Sequence, residues 1–406
     1  MFHDLLSITD IKEVHEVDKI LNFEYFLPTR LVFGVGSVDR VGEFAKSLGR
    51  KALIVTGKSS AKKTGLLDRV ISLLEKNGVE TAVFDEIVPN PLSSTVDKGA
   101  EFANREGCDL IIGLGGGSPV DSAKLIAVVA KDGGHCWDYT GSGGGRVPKS
   151  AFPVIAIPTT HGTGTESDPF AVVTNTETNE KIGVGFDQTF PTVSIVDPEV
   201  MKTLPAYQTA ATGMDAFYHA IESYINTNHQ PTSDLLALEA MSLINHYLPI
   251  AYSDGDNIEA RTALAWASTA AGICETLSGC IANHSLEHPI SAHYDATHGA
   301  GLCATGPAFF DYIRPHTKER LARVAQIMGA PESEIDIDKL SQMSIELIHR
   351  LQKSVDIDIT LEELGVEKSM LGRLAEDAMR TMGALVEVTP GDLKTEDLRK
   401  ILEMSY

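Results

Sequence analysis

Up to about residue 200 the chain alternates short, β-branched apolar runs with stretches whose apolar residues recur every three or four positions. The runs Ala52–Val55, Thr81–Phe84, Leu110–Ile112, Pro153–Ile157 and Val193–Val196 have the length and branching of buried strands. Between them Leu66–Asn77 and Thr95–Glu106 carry helical periodicity and stop at Gly78 and Gly107, where C-terminal caps fall. This repeated succession predicts a parallel sheet covered by helices. Past Pro198 the strand-like runs stop, and Ala/Leu/Glu/Met-rich amphipathic segments take over: Ala206–Ile225, Thr232–Leu248, Asn257–Thr276, Thr317–Met328, Asp338–Val355 and Glu367–Met382. The pattern predicts two domains, an α/β unit over 1–200 and an all-helical unit over 201–406. No internal repeat is present, and the patch Gly141–Gly145 reads as a flexible surface loop.

Composition narrows the function classes. A formal charge of −22 repels the phosphates of nucleic acid and of anionic membranes, so neither is an expected partner. Apolar runs such as Leu125–Ala130 fall far short of the about 20 residues of a membrane-spanning helix, and Met1–Asp4 opens no leader-like segment, so a cytoplasmic location is expected. Five cysteines without regular spacing read as reduced, buried thiols. Histidine is unevenly spread: His284, His288, His293 and His298 crowd into one short segment, the kind of cluster in which metal sites are sought.

Two turns carry candidate binding chemistry. Leu110–Lys124 runs from a strand through Gly115-Gly116-Gly117 into a helix that Ser118 can cap and Pro119 can start. Bare backbone N–H groups at a helix N-terminus suit a pyrophosphate, although a tight structural turn explains the glycines equally well. The second turn, Ile157–Glu166, follows the next strand and offers Thr159, Thr160, Thr163 and Thr165 with two glycines. Two such turns at neighbouring strand ends favour a Rossmann-like dinucleotide cleft. Further on, Asp215 and His219 stand at i and i+4, as do His284 and His288, with His298 ten residues later. One carboxylate with several imidazoles is a plausible shell for Zn(II) or Fe(II) that leaves a position for substrate.

Taken with Gly115–Ser118, Asp121 and Lys124, then Pro158–Thr160 with Gly162–Gly164, then Gly213–Ala216 with His219–Glu222, then His284, His288 and His298-Gly299, the chain resembles the iron-containing (group III) alcohol dehydrogenases, of dehydroquinate synthase-like fold. The resemblance runs from about Phe33-Gly34 to the C-terminal region. It implies a homodimer that moves hydride between a nicotinamide and a small alcohol or aldehyde. It implies Asp215, His219, His284 and His298 as ligands of a divalent metal, Fe(II) before Zn(II), with His288 as the unligated proton-transfer residue. Gly57, Ser59, Ser60, Lys62, Gly115, Gly116, Gly117, Ser118, Asp121, Thr159, Thr160, Thr163, Thr165 and Lys181 are then the candidate cofactor contacts. His293 carries no role. His161 stands where the family commonly has alanine, placing an imidazole in the expected cleft wall, and Ala304–Pro307 and Val388–Gly391 also depart from the family pattern. Relatives that use NAD often carry an aspartate after the first strand of the α/β unit, whereas Gly57–Lys63 offers serines and three lysines, favouring NADP(H) with NAD(H) as the alternative. Other enzymes of the same fold, such as a glycerol dehydrogenase or a cyclising lyase, and a non-catalytic nucleotide- or metal-binding protein are the rival readings.

Overall fold

A computed structural model of the protein describes residues 22–331 and 336–406; the Met1–Asp4 segment considered for a leader lies outside them. The strands are β1 (Arg30–Phe33), β2 (Lys51–Gly57), β3 (Glu80–Ile87), β4 (Leu110–Gly115), β5 (Val154–Pro158), β6 (Phe170–Asn175), β7 (Glu180–Gly185) and β8 (Val193–Val196). The helices of the first part are α1 (Val41–Leu48), α2 (Ser60–Lys63), α3 (Leu66–Lys76), α4 (Ser93–Glu106) and α5 (Gly117–Asp132). Then follow α6 (Ala206–Ile225), α7 (Pro231–Ser253), α8 (Ile258–Ser278), α9 (Ala282–Tyr294), α10 (His298–Ile313), α11 (Lys318–Ile327), α12 (Ile337–Ser354), α13 (Leu371–Glu387) and α14 (Thr395–Met404).

Six strands form one parallel sheet in the order β1-β8-β5-β4-β2-β3. Period-two alternation explains why helices cover both faces. Leu53, Val55 and Ile111 join one core with Val96 and Ala100 of α4 and Ile126 of α5, while Ala52, Ile54, Leu110 and Ile112 join another with Val41 of α1 and Val70 and Leu74 of α3. Strand order reverses between β2 and β4, so the loops leaving their C-terminal ends flank the crevice where ligands of such sheets bind.

Several elements lie outside the sequence expectation, among them α10, α14 and three strands. β6 and β7 form a separate antiparallel hairpin with Val172 opposite Gly183, and β1 adds a four-residue edge to the main sheet. β1 (RLVF) and the start of β6 (FAVV) are unbroken apolar runs of only three or four residues, and β7 (EKIGVG) has only Ile182 and Val184 as large apolar residues, so none shows a clear alternation of apolar and polar positions. Beyond β8 the described residues are helical and irregular. α6 is buried along nearly its whole length and packs between α7, α8 and α10, which makes it the axis of the helical part.

Candidate active site

The glycine turn and the threonine turn form one wall. Thr159 N–H donates to Gly115 O at 2.8 Å. A Cβ on Gly117 would meet Thr163 Cγ2 at 2.6 Å, and one on Gly115, whose φ is +153°, would meet Pro119 Cγ at 2.7 Å. Side chains here would push the two turns apart. The N-cap of α5 is Gly116 rather than Ser118, and no side chain caps it, so the first N–H groups of this helix remain without a side-chain acceptor. Gly116, Gly117, Ser118, Thr159, Thr160 and Thr163 are half-buried beside it, and Ser59, Ser60 and Lys62 are exposed near Gly57 at the end of β2.

Three expected cofactor contacts have partners within the protein. Asp121 Oδ1 accepts from the Thr165 hydroxyl at 2.6 Å and Oδ2 from Val172 N–H at 3.0 Å, which occupies both oxygens within the protein. Thr165 also accepts from Lys124 Nζ at 2.7 Å, and that buried ammonium donates further to Asp168 Oδ1 at 3.0 Å and Phe170 O at 2.6 Å. Asp121 and Thr165 therefore brace the two turns from behind. Lys181, on β7, is buried near the histidines: its Nζ donates to Glu287 Oε2 at 3.3 Å and lies 3.4 Å from His298 Nδ1. Their chain separations, 44 residues for Thr165 and Asp121 and 106 for Lys181 and Glu287, hid these partnerships from the sequence.

His161 also turns away from the cleft wall. It is buried, and its Nε2 accepts from Arg261 Nη1 of α8 at 2.8 Å. Burial, helped by the adjacent guanidinium, pushes the imidazole down to about 3. The unfolded chain binds a proton here near pH 6.5 and the folded chain does not, so this contribution is complete above pH 6.5 and is lost as pH falls from 6.5 towards 3. Wild-type urea stability should fall across that window more steeply than that of His161→Ala, by up to about 1.4 kcal/mol per pH unit; parallel slopes for the two proteins would contradict it.

α6 presents Asp215 and His219 one turn apart, α9 presents His284 and α10 begins with His298. One donor atom from each of the four lies within 4.8 Å of the others. The imidazoles are oriented from behind. His284 Nδ1 donates to Glu222 Oε1 at 2.8 Å, His298 Nδ1 to Glu287, and His219 Nδ1 lies 3.4 Å from Gly162 O. This arrangement leaves the Nε2 lone pairs to face the cluster. His284 Nε2 and Asp215 Oδ1 are buried without any hydrogen-bond partner among the described residues, an expensive arrangement unless a cation completes it. The set fits a divalent ion: three neutral nitrogens, one carboxylate and carboxylate-supported imidazoles.

Sequence reasoning gave no role to the acids behind the histidines. Glu222 accepts from Ile281 N–H, Asn283 Nδ2 and His284 Nδ1, and its place seven residues after Asp215 was a legible sign that it shares the same helix face. Burial works to raise the Glu287 carboxyl, but His298 and Lys181 beside it hold it well below the usual range. Burial, reinforced by Lys181, keeps His288 neutral; its Nδ1 donates to Lys181 O at 3.2 Å, so Nε2 carries the lone pair. Glu275, unmentioned by the motifs, stands 3.7 Å from His219 Nε2, and burial pushes its carboxyl up to about 7. Replacing Glu222 with glutamine should weaken divalent-metal affinity by about 10–100-fold with the fold intact, measured by chelator competition; unchanged affinity would remove Glu222 from this role.

A doubly covered parallel sheet with an uncapped glycine turn, facing a buried Asp/His donor cluster in a helical unit, defines a class: dinucleotide-using enzymes with a metal centre. The sequence model described as iron-containing alcohol dehydrogenase matches residues 28–198, and that of the C-terminal part of the same family matches residues 209–406. The chain is 34% identical over 379 residues to an NAD-dependent methanol dehydrogenase of Bacillus methanolicus, covering 93% of this chain and 98% of that one. It is 35% identical over 372 residues to a 1,3-propanediol dehydrogenase of Klebsiella pneumoniae, covering 91% and 96%. The solved structure of an archaeal halo-thermophilic Red Sea brine pool alcohol dehydrogenase bound to NZQ matches with a TM-score of 0.92 at 38% identity, covering 96% of this chain and all of that one. The chain belongs to the iron-containing alcohol dehydrogenase family. It is an oxidoreductase that acts on CH–OH groups with a nicotinamide cofactor, and its family implies a divalent metal.

Proposed function

We propose that Asp215, His219, His284 and His298 hold the divalent cation of an NAD(H)-linked interconversion of a small alcohol and its carbonyl, with Fe(II) as the first candidate and Zn(II) as the second. The single observation that carries this reading is the pair of buried, partnerless donor atoms, Asp215 Oδ1 and His284 Nε2, at the centre of the tetrad. When bound, the cation supplies Lewis acidity towards the substrate oxygen and the nicotinamide supplies or accepts hydride. The protein does the rest by position. The uncapped start of α5 and the half-buried Thr159, Thr160 and Thr163 hydroxyls bind pyrophosphate and ribose, and the Lys124–Thr165–Asp121 network holds the two turns in register. His288, neutral and with Nε2 free to accept, takes up the proton that leaves the substrate hydroxyl.

Lys62 of the first loop is not a free partner for the 2′-phosphate of NADP(H). Lys62 is ion-paired with Asp85 near the end of β3, so a 2′-phosphate placed there would meet a carboxylate beside the ammonium. Two relatives, the methanol dehydrogenase and an NADH-dependent butanol dehydrogenase A of Clostridium acetobutylicum, carry names that specify the unphosphorylated cofactor. Metal-loaded enzyme should reduce aldehydes with kcat/KM for NADH at least about tenfold above that for NADPH. Equal or better use of NADPH would reverse the assignment, and inactivity with both would overturn the reading of the site.

The proposal extends to a homodimer in the cytoplasm. Edge strand β1 follows exposed Phe23, Tyr25 and Phe26, apolar surface of the kind that subunits cover, and five free, buried cysteines suit a reducing compartment. No described helix is long and apolar enough to cross a membrane.

A further inference from the structure

Four acids near the centre have their donors built in. Glu222 receives Ile281 N–H, Asn283 and His284; Glu287 receives Lys181, His298 and the Ser291 hydroxyl; Asp168 receives Lys124 and Phe170 N–H; Asp121 receives Thr165 and Val172 N–H. Glu275 differs. No hydrogen bond reaches its carboxylate among the described residues, and its contact is the 3.7 Å approach to His219 Nε2. Its donor atom groups with His219 and Cys280 rather than with the whole tetrad, so it stands beside the metal-type site and outside the four-donor shell.

Accessibility gives this position its meaning. Asp215, His219 and His284 have side chains only 4–6% exposed, whereas His298 is 24% and Glu275 17% exposed. Solvent therefore reaches the cluster past these two residues, and a substrate whose carbinol approaches the tetrad comes alongside Glu275. Glu275 has solvent but no described protein group to donate to it, so a ligand that displaces that solvent without bringing a donor of its own leaves the carboxylate unpaired, and the position selects for a ligand that brings one.

Building on the alcohol dehydrogenase reading above, we propose that Glu275 is a specificity-determining residue whose carboxylate receives a hydrogen-bond donor carried by the substrate away from its reacting carbinol. The substrate class is then short alcohols bearing a second donor, a hydroxyl or an ammonium, in preference to plain alkanols. A site built around a hydrogen bond discriminates strongly against an analogue lacking the donor, because the protein group is then left unpaired.

The test uses full-length enzyme loaded with Fe(II), with NAD+, and compares kcat/KM for 1-propanol, 1,3-propanediol and 3-amino-1-propanol in wild type, Glu275→Gln and Glu275→Leu. Metal content and circular dichroism are recorded for each protein. The wild type should favour at least one donor-bearing alcohol over 1-propanol by about tenfold or more, and Glu275→Leu should erase or invert that ratio with metal retained. Glu275→Gln separates the two donors: preference kept indicates a hydroxyl, preference lost an ammonium. Equal ratios in wild type and Glu275→Leu, a uniform loss on all three alcohols, or loss of metal from either variant would overturn the proposal, the last by making Glu275 a ligand. Absence of turnover with all three in the metal-loaded wild type would overturn the dehydrogenase reading, and this assignment with it.

Discussion

An Asp215→Ala variant is expected to fold, to lose its divalent cation, and to lose at least about a thousandfold in kcat/KM, because Lewis-acid stabilisation of several kcal/mol disappears with the ion. The expectation follows from charge. Asp215 is the one carboxylate of the tetrad, its Oδ1 lies 3.6 Å from His298 Nε2, and no protein donor satisfies that oxygen. Without it a dication faces three neutral imidazoles, with Glu222 and Glu287 held behind them by their own donors. Metal analysis with circular dichroism checks the prediction. A variant that keeps one equivalent of metal and most of its activity would show that another residue supplies the anionic ligand.

The second large effect is on stability. Lys124→Met should destabilise the fold by about 3–5 kcal/mol, the usual result of deleting one partner of a buried ion pair. The Lys124 and Asp168 side chains are 0% and 2% exposed, and the ammonium also serves Thr165 Oγ1, Asp168 O and Phe170 O. Removing it strands a buried carboxylate, whose pKa burial already raises well above its usual range, and two carbonyls at once. Urea unfolding of wild type and variant measures the difference. Nucleotide affinity should fall as well, since the same ammonium ties α5 to the threonine turn; a loss below 1 kcal/mol would show that the network tolerates an apolar core.

These contrasts show what the sequence could reveal. Periodicity is local, so β2, β4, β5, β8 and the helices α6, α7, α8, α11, α12 and α13 were legible to within a few residues, as was the pairing of Asp215 with His219 one turn apart. Crowding of histidines along the chain pointed to His284 and His298 as members of the same set and the resemblance named them as ligands; the fold brings them together by packing α10 against both α6 and α9. What the sequence hid are partnerships made across the fold. His161 looked like a cleft residue because its neighbours are, yet Arg261, 100 residues away, draws it inward. The partnership of Lys181 with Glu287 was hidden as well, since it is made by the hairpin that packs β7 against α9. The hairpin gave no periodic signal strong enough to place it, Glu222 was legible only as a residue on the same helix face as Asp215, and Glu275 is notable only for the donors it lacks.

The central claim is that catalysis depends on one divalent cation held by Asp215, His219, His284 and His298. Its most direct test is a titration of chelator-stripped protein with Fe(II) under anaerobic conditions, following NADH oxidation by a short aldehyde. The account predicts no turnover in the stripped protein and a linear rise with a break at one equivalent per chain. Full activity without metal, or the same titration curve in a His284→Ala variant, would contradict it.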